Sequence, residues 1–421
     1  MQKNQTLAGV LILITAVLLA NVFFGAARSS DLLATWIAGQ MFATGQFDEI
    51  YVAAQSVFTM QPNESWITFM DREHGYNDAI FPFLYPPIWA WAASFLADVP
   101  FDTIEKIATP INAALISGCI FLAHRITRSS ISLPVFSLVA LVLVYLTLIG
   151  TIALFENQPQ ILVGFLILLT LERLRSDAPV AAGIALAFAA AIKIYPVIFV
   201  VFLLARRQYR ATTSFAIAGG ILGLTSITVA GWPLHAEFLA SAASVSRTAI
   251  VVHVNYNIHG AIAQFFDADR LIKILSTEPP LDNGIIPFWH VAAKGPVWNL
   301  VGLVSSLGMI VLFFFGFRRA EENRCYAVYW PAVLMFVPLI TPFGWSYYYI
   351  SPVVMAPILL SSYRWYIGAG ILLGFLFLAG LPMQTIFVSV KAYPAPGQIA
   401  GTLAILLLGL AYLAQPKPDR S

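Results

Sequence analysis

Apolar stretches recur along almost the whole chain, and this constrains the fold more than any other feature. The candidate spans are 7–25, 104–123, 133–153, 159–172, 179–192, 194–205, 213–230, 297–317, 326–341, 346–360, 364–382 and 398–414. So many apolar runs leave water by entering a bilayer, where each must satisfy its own backbone hydrogen bonds as a helix. Composition agrees. Of the residues, 59% are hydrophobic and 10% charged, against roughly 25% charged in a soluble domain; the mean hydropathy is +0.80. We therefore expect an all-α polytopic membrane protein, a single membrane domain over 1–421 with about 12 transmembrane helices (range about 11–13). Several spans fall short of the ~20 residues a full crossing needs. Short helices are tolerated where they line a cavity, so the shortfall points to an interior pocket.

Charge orients the spans. Arg125/Arg128, Arg173/Arg175, Arg206/Arg207/Arg210, Arg318/Arg319/Arg324, Arg364 and Lys417/Arg420 lie in short connections, and with Lys3 they make 14 of the 23 Lys and Arg residues. All fall on one side if both termini are cytoplasmic and the chain crosses about 12 times, the arrangement the positive-inside rule selects. The apolar stretch Phe83 to Ala97 must then fail to cross, and Pro82, Pro86 and Pro87 break it. The stretch 179–205 reads as one kinked helix or as two short ones. Loops 26–82 and 231–296 face the outer side and 415–421 is a cytoplasmic tail. The first loop holds seven acidic residues against two basic ones. Leu33, Trp36, Ile37 and Met41 share a face over Leu32 to Phe42, as in an interfacial amphipathic helix. Trp66, Trp232, Trp289 and Trp298 suit the membrane–water boundary. Leu7 to Phe24, followed by Gly25-Ala26-Ala27, has the look of a signal peptide, but runs longer than a usual signal core and reads as an uncleaved first helix.

Asp31 stands just past that first helix. An ionisable group beside embedded spans is a functional-site hypothesis by default; Ser29-Ser30-Asp31 also reads as an N-cap signal for Leu32 to Thr44, and the two roles are compatible. Glu156-Asn157-Gln158-Pro159-Gln160 interrupts two apolar helices. A carboxylate and amides in such a turn bind a hydroxyl-rich ligand or form an ordinary polar turn. Lys193 stands alone in Ala-Ala-Ala-Ile-Lys-Ile-Tyr-Pro. It either snorkels to the interface or holds an anionic group, and its expected outer location favours the anion. His74, His235, His253, His259 and His290 fall on the outer side, too scattered for a metal site. Cys119 and Cys325 have no near neighbours for a disulfide or zinc. There is no phosphate-binding glycine loop and no Gly-x-Ser-x-Gly elbow. The net charge of +2 comes without a Lys/Arg-rich tract, so no nucleic-acid partner is expected.

In their order along the chain, Ser30-Asp31, Trp36-x-Ala-Gly39, Gly45, Tyr51, Tyr85-Pro86-Pro87, Asn157-Gln158, Lys193-x-Tyr195-Pro196, Asn255-x4-Gly260 and the Tyr347-Tyr348 run resemble glycosyltransferase family 87 of the GT-C superfamily. Those are polytopic, polyprenol-phosphate-mannose-dependent mannosyltransferases and their relatives. The resemblance implies transfer of a hexose, mannose foremost, from a polyprenyl-phosphate donor to a lipid or glycan acceptor. It implies a multi-pass protein of the cell membrane, in a bacterium the inner membrane, surrounded by membrane lipids. Its site would face the periplasmic or extracytoplasmic side. No cofactor is expected, and the absence of a clustered ligand set argues against an obligatory metal ion. Asp31 would be the general base, and Lys193 and Tyr195 would hold the donor phosphate. Tyr85, Glu156, Asn157, Gln158, His253, Asn255, Tyr347 and Tyr348 would contact substrate. The sequence departs from the family where a Gly-Gln turn reads Asn157-Gln158, and where histidine near the late Trp-Ser element gives way to Tyr347-Tyr348.

The alternative class is a lipid-linked-sugar flippase or transporter, which is expected to show inverted repeats; none is evident. A polymerase or ligase of lipid-linked oligosaccharides would use arginines in its large outer loop, and 231–296 holds only Arg247 and Arg270.

Overall fold

Long apolar runs wind into long helices, one of them across Pro110. Residues 2–52, 63–73, 80–266, 268–275, 288–389 and 395–416 are described in the computed structural model; His74 and the tail beyond 416 lie outside them. Among these residues, five helices are long and apolar enough to cross a membrane: Asn4–Phe24, Phe101–Thr127, Tyr209–Ser246, Pro296–Arg319 and Pro396–Leu413. Four shorter apolar helices accompany them: Leu133–Tyr145, Pro179–Ile192, Tyr195–Ala205 and Trp365–Ala379. The architecture is that of an all-α membrane protein, with one small sheet.

Differences from the expected spans follow from identifiable residues. The run 133–153 is broken at Leu146, and Thr147 restarts it by capping Leu148–Phe155, its hydroxyl accepting from the Ile149 amide at 3.3 Å. The runs 326–341 and 346–360 are chains of short segments: a π turn Cys325–Tyr329 leads into Trp330–Ile340, and a 3-10 turn Ser346–Tyr349 into Ile350–Met355. Pro331, Pro338, Pro352 and Pro357 punctuate this stretch and prevent one continuous hydrogen-bond ladder. The expected span 213–230 instead continues to Ser246. Gly231 takes φ 74°, open to glycine, and Pro233 then sits where a restarting helix has no partner for its missing N–H. The result is a kink, not an end.

The stretch 83–97 forms the eight-residue helix Pro87–Ser94. Eight residues rise about 12 Å, less than half the hydrocarbon thickness. This helix packs against Ser30–Ala43 so closely that a Cβ on Gly39 would lie 2.7 Å from the Ala93 carbonyl carbon. Leu33, Ala34, Trp36, Ile37, Ala38 and Met41 are all buried, so the helix is enclosed by protein on more than one face. Trp66 and Trp289 are likewise buried, 1% and 8% exposed; the Trp66 indole donates to the Glu49 carbonyl at 2.7 Å.

The second loop builds a three-stranded antiparallel sheet, a departure from the all-α expectation. Its strands are β1 (Thr248–Val251), β2 (Ile272–Leu275) and β3 (Phe288–Ala293), in the order β1-β3-β2. Thr248 pairs with Ala293 and Val251 with His290, while Leu275 pairs with Phe288.

Helices Gln160–Arg175 and Pro179–Ile192 form a hairpin closed at Asp177, whose φ is 55°. The hairpin brings Gln160 and Lys193 to one end. It leaves Arg175 roughly 24 Å away at the other, by the rise of an α-helix. Its second helix meets Tyr209–Ser246 across Gly183, where an added Cβ would lie 2.2 Å from the Ala211 carbonyl oxygen and 2.7 Å from the Phe215 amide. Small residues permit such approaches between membrane helices. Gly183→Ala should therefore force two backbones apart and cost about 1–3 kcal/mol, the usual range for overpacking. Tryptophan-fluorescence melting in detergent should show a lower Tm, and an unchanged Tm would mean the helices slide freely there.

Candidate active site

Proline decides where Lys193 stands. Pro196 lacks an amide hydrogen, and its ring would meet the carbonyl of Ile192 four residues back, so helix Pro179–Ile192 cannot run through it. Lys193 is left in extended backbone, φ −138° and ψ 132°, before a short 3-10 turn Tyr195–Ile198. The 179–205 stretch is thus two elements. The Lys193 ammonium lies over three tyrosine rings, 5.3 Å from the Tyr85 centroid, 5.1 Å from Tyr347 and 4.6 Å from Tyr348. All are within reach of a cation–π attraction. Tyr348 also meets Tyr195 at 5.2 Å, and the Tyr195 hydroxyl accepts from the Gln160 amide at 2.7 Å.

Tyr347 and Tyr348 are held by the turn that carries them. Within it, the Ser346 amide donates to the Val254 carbonyl at 2.7 Å and its hydroxyl to the Leu148 carbonyl at 3.0 Å. Tyr349 donates to the Tyr256 carbonyl at 2.5 Å.

Asp31 is the second residue of Ser30–Ala43, and distant groups cap that helix. The Ser29 amide donates to Glu105 Oε1 at 2.8 Å and the Asp31 amide to Glu156 Oε2 at 3.2 Å. Carboxylates at a helix N-terminus are favoured by its exposed amides and dipole. Ser29 makes no side-chain cap; its hydroxyl donates to the Phe155 carbonyl at 2.8 Å. The local capping signal is therefore overridden by tertiary contacts, and the Asp31 carboxylate accepts from the Gln158 side-chain amide.

These groups surround one cavity of about 690 Å³. It brings together Asp31, Glu156, Lys193 and Tyr195, with Tyr85, His253, Tyr347 and Tyr348. Three expected contacts are placed outside the lining. Asn157, at φ 44° and 2% exposed, donates to Ser29 at 2.9 Å and Thr109 at 3.1 Å and accepts from Asn112 at 2.9 Å. Asn255 is fully buried, donating to the Ile250 carbonyl at 2.9 Å and accepting from the Gly344 amide at 3.0 Å. Gln158 stands behind Asp31 and Tyr85. Both asparagines have given their amides to the protein and act as struts.

The apolar wall was not read from the sequence. Phe238, Ser241 and Val245 come from the helix continuing past Gly231, Trp289 from β3, and Phe155 and Trp345 from segments flanking the polar turns. The periodic run through Leu234, Phe238 and Ser241 was the available signal, masked by the Gly-Trp-Pro that precedes it. The cavity thus pairs a mainly hydrophobic wall with a few converging polar groups, the usual character of a site for an amphiphilic ligand.

A family model described as glycosyltransferase family 87 matches residues 83–342, more than half of the chain. The chain belongs to glycosyltransferase family 87. No curated protein matches it. The family match covers Tyr85, Glu156, Lys193, Tyr195 and His253, whereas Asp31, Tyr347 and Tyr348 lie outside the matched segment and reach the cavity only through the fold. As a member of this family the protein is a glycosyltransferase, and the cavity is its candidate active site.

Two histidines of the segment 231–296 are neutral at physiological pH. Burial lowers His253 to about 4. Burial, with Lys294 adding repulsion, lowers His259 to about 4 as well. The Trp298 indole donates to His259 Nδ1 at 2.8 Å, which leaves Nε2 to donate to the Ile340 carbonyl at 3.1 Å. Both histidines bind a proton more readily unfolded, near 6.5, than folded. Stability is therefore complete above about pH 6.5 and declines as pH falls toward 4. Melting temperature should drop between pH 7.5 and 5. His259→Gln should flatten part of that slope; an unaltered slope would mean this histidine is not responsible.

Proposed function

We propose that this glycosyltransferase moves a hexose, mannose foremost, from a polyprenyl-phosphate donor to a hydroxyl of a lipid or glycan acceptor, with inversion at the outer membrane face. The observation that carries this reading is that Asp31 and Lys193 line the same cavity, whose remaining wall is largely apolar. A donor of this class has a charged phosphate between a sugar and an isoprenoid chain, and the wall offers a partner to each part. Lys193 meets the phosphate, the apolar side meets the first isoprene units, and the polar turn at Glu156 meets sugar hydroxyls. The acceptor oxygen attacks the anomeric carbon from the face opposite the phosphate. A carbon–oxygen bond forms there as the bond to the phosphate oxygen breaks, its electron pair leaving with polyprenyl phosphate. Asp31 takes the acceptor proton.

Polyprenyl phosphate is a good leaving group, so the departing charge needs stabilisation more than a proton. A lysine held over three rings supplies that without reorganising. The outer-face assignment draws on the hairpin, which sets Lys193 and the arginine-bearing end of helix Gln160–Arg175 apart. The positive-inside rule gives the arginines to the cytoplasm.

The test is incubation of purified protein with synthetic polyprenyl-phosphate hexoses, scoring release of polyprenyl phosphate with and without an alkyl hexoside acceptor. No release with any sugar in the series would contradict the reading. Asp31→Asn should lower turnover by about 10²–10⁴-fold, the contribution of a positioned base, while the protein still folds; parental turnover would remove Asp31 from the mechanism. Lys193→Ala should weaken donor binding about tenfold, in keeping with the loss of one hydrogen bond to a charged group, roughly 1.5 kcal/mol. Unchanged donor affinity would remove the phosphate role.

A further inference from the structure

We infer that Gln158, backed by Tyr85, is a positioning residue that sets the orientation of the Asp31 carboxylate; this rests on the reading of Asp31 as the base. A carboxylate oxygen accepts and an amide nitrogen donates, so the bond to Asp31 Oδ2 fixes which end of Gln158 faces the cavity side. The other end, Oε1, must meet a donor, and the Tyr85 hydroxyl supplies it at 3.2 Å. Tyr85 is itself anchored. Its backbone carbonyl accepts from the Tyr51 hydroxyl at 2.6 Å, its ring meets Phe83 at 5.5 Å, and Pro86 and Pro87 stiffen the chain beyond it. Tyr51, Tyr85 and Gln158 are 5%, 6% and 1% exposed. Water therefore does not compete for the Tyr51–Tyr85 and Tyr85–Gln158 bonds that hold this support.

The backbone fixes Gln158 equally well. Asn157 turns the chain in the left-handed region and is bonded on three sides, and the Gln158 amide donates to the Ala153 carbonyl at 2.9 Å. The amide thus reaches Asp31 from a support that has little freedom. Two chemical consequences follow. Donation to a carboxylate favours its charged form, as does the Lys193 ammonium across the same cavity, while the neighbouring Glu156 carboxylate opposes it. A carboxylate fixed on one oxygen also presents the rest of the group in one orientation, and small errors of placement are expensive for a proton transfer. Tyr85 serves both charged groups, its hydroxyl toward Gln158 and its ring toward Lys193.

The test is the pH dependence of kcat and KM for Gln158→Met, Tyr85→Phe and Asp31→Asn, using a short-chain polyprenyl-phosphate mannose and an alkyl hexoside. Gln158→Met keeps the length and removes the donor. It should lower kcat about 10- to 100-fold. Donor KM should stay within about twofold, because the lost interaction acts on the reacting step. The acidic limb of kcat/KM should rise by about one unit. Tyr85→Phe removes one oxygen, keeps the ring over Lys193, and should shift both quantities the same way by less; it carries the test if the methionine variant fails to fold. An acidic limb that stays put while kcat falls means Gln158 is a structural strut only, and the inference is wrong. Parental turnover in Asp31→Asn is the separate result that would remove the base assignment itself.

Discussion

An ammonium set among apolar helices must be compensated or neutralised, and the site is organised around that requirement at Lys193. A charge there is costly unless rings, carboxylates or ligand offset it. Three tyrosines from two distant parts of the chain supply the rings, and Asp31 borders the same cavity. The arrangement needs Pro196 to end the preceding helix and the Ser346–Tyr349 turn to present its aromatics. Remove either, and the lysine loses the surroundings that make its position tolerable.

Polar struts hold this charged core. Asn157 and Asn255 sit in turns that join different elements, and each uses its side chain for backbone or hydroxyl partners instead of ligand. Asn157 ties the start of helix Ser30–Ala43 to Phe101–Thr127 through Ser29, Thr109 and Asn112. Asn255 ties the sheet to the segment carrying Trp345, through the Gly344 amide. The cavity is therefore framed by buried hydrogen bonds, which penalise partial opening because each broken group is left without water.

Much of this was legible in the sequence because isolated polar residues in apolar stretches are few and expensive. Asp31, Glu156 and Lys193 stood out for that reason and Tyr195 through the family resemblance, and all four reach one cavity. Asn157 and Gln158 stood out equally, and Asn255 entered through the resemblance. A sequence does not say whether an amide faces a ligand or a neighbouring backbone, and their partners lie up to 128 residues away. The helical class was legible from hydropathy. The sheet was not, because its strands are four to six residues long and sit in a loop. The apolar wall from Phe238 to Val245 was hidden by Gly231 and Pro233, which read as a helix end until the kink geometry is known.

The most direct test is a cryo-EM structure of the protein in nanodiscs with a non-hydrolysable polyprenyl-phosphonate hexose. The account predicts the phosphonate within hydrogen-bond distance of Lys193 Nζ and the anomeric carbon on the Asp31 side of the cavity, the isoprenoid leaving along Phe155 and Phe238. A headgroup bound at the opposite end, beside Arg175 and Arg206, or a sugar turned away from Asp31, would contradict it.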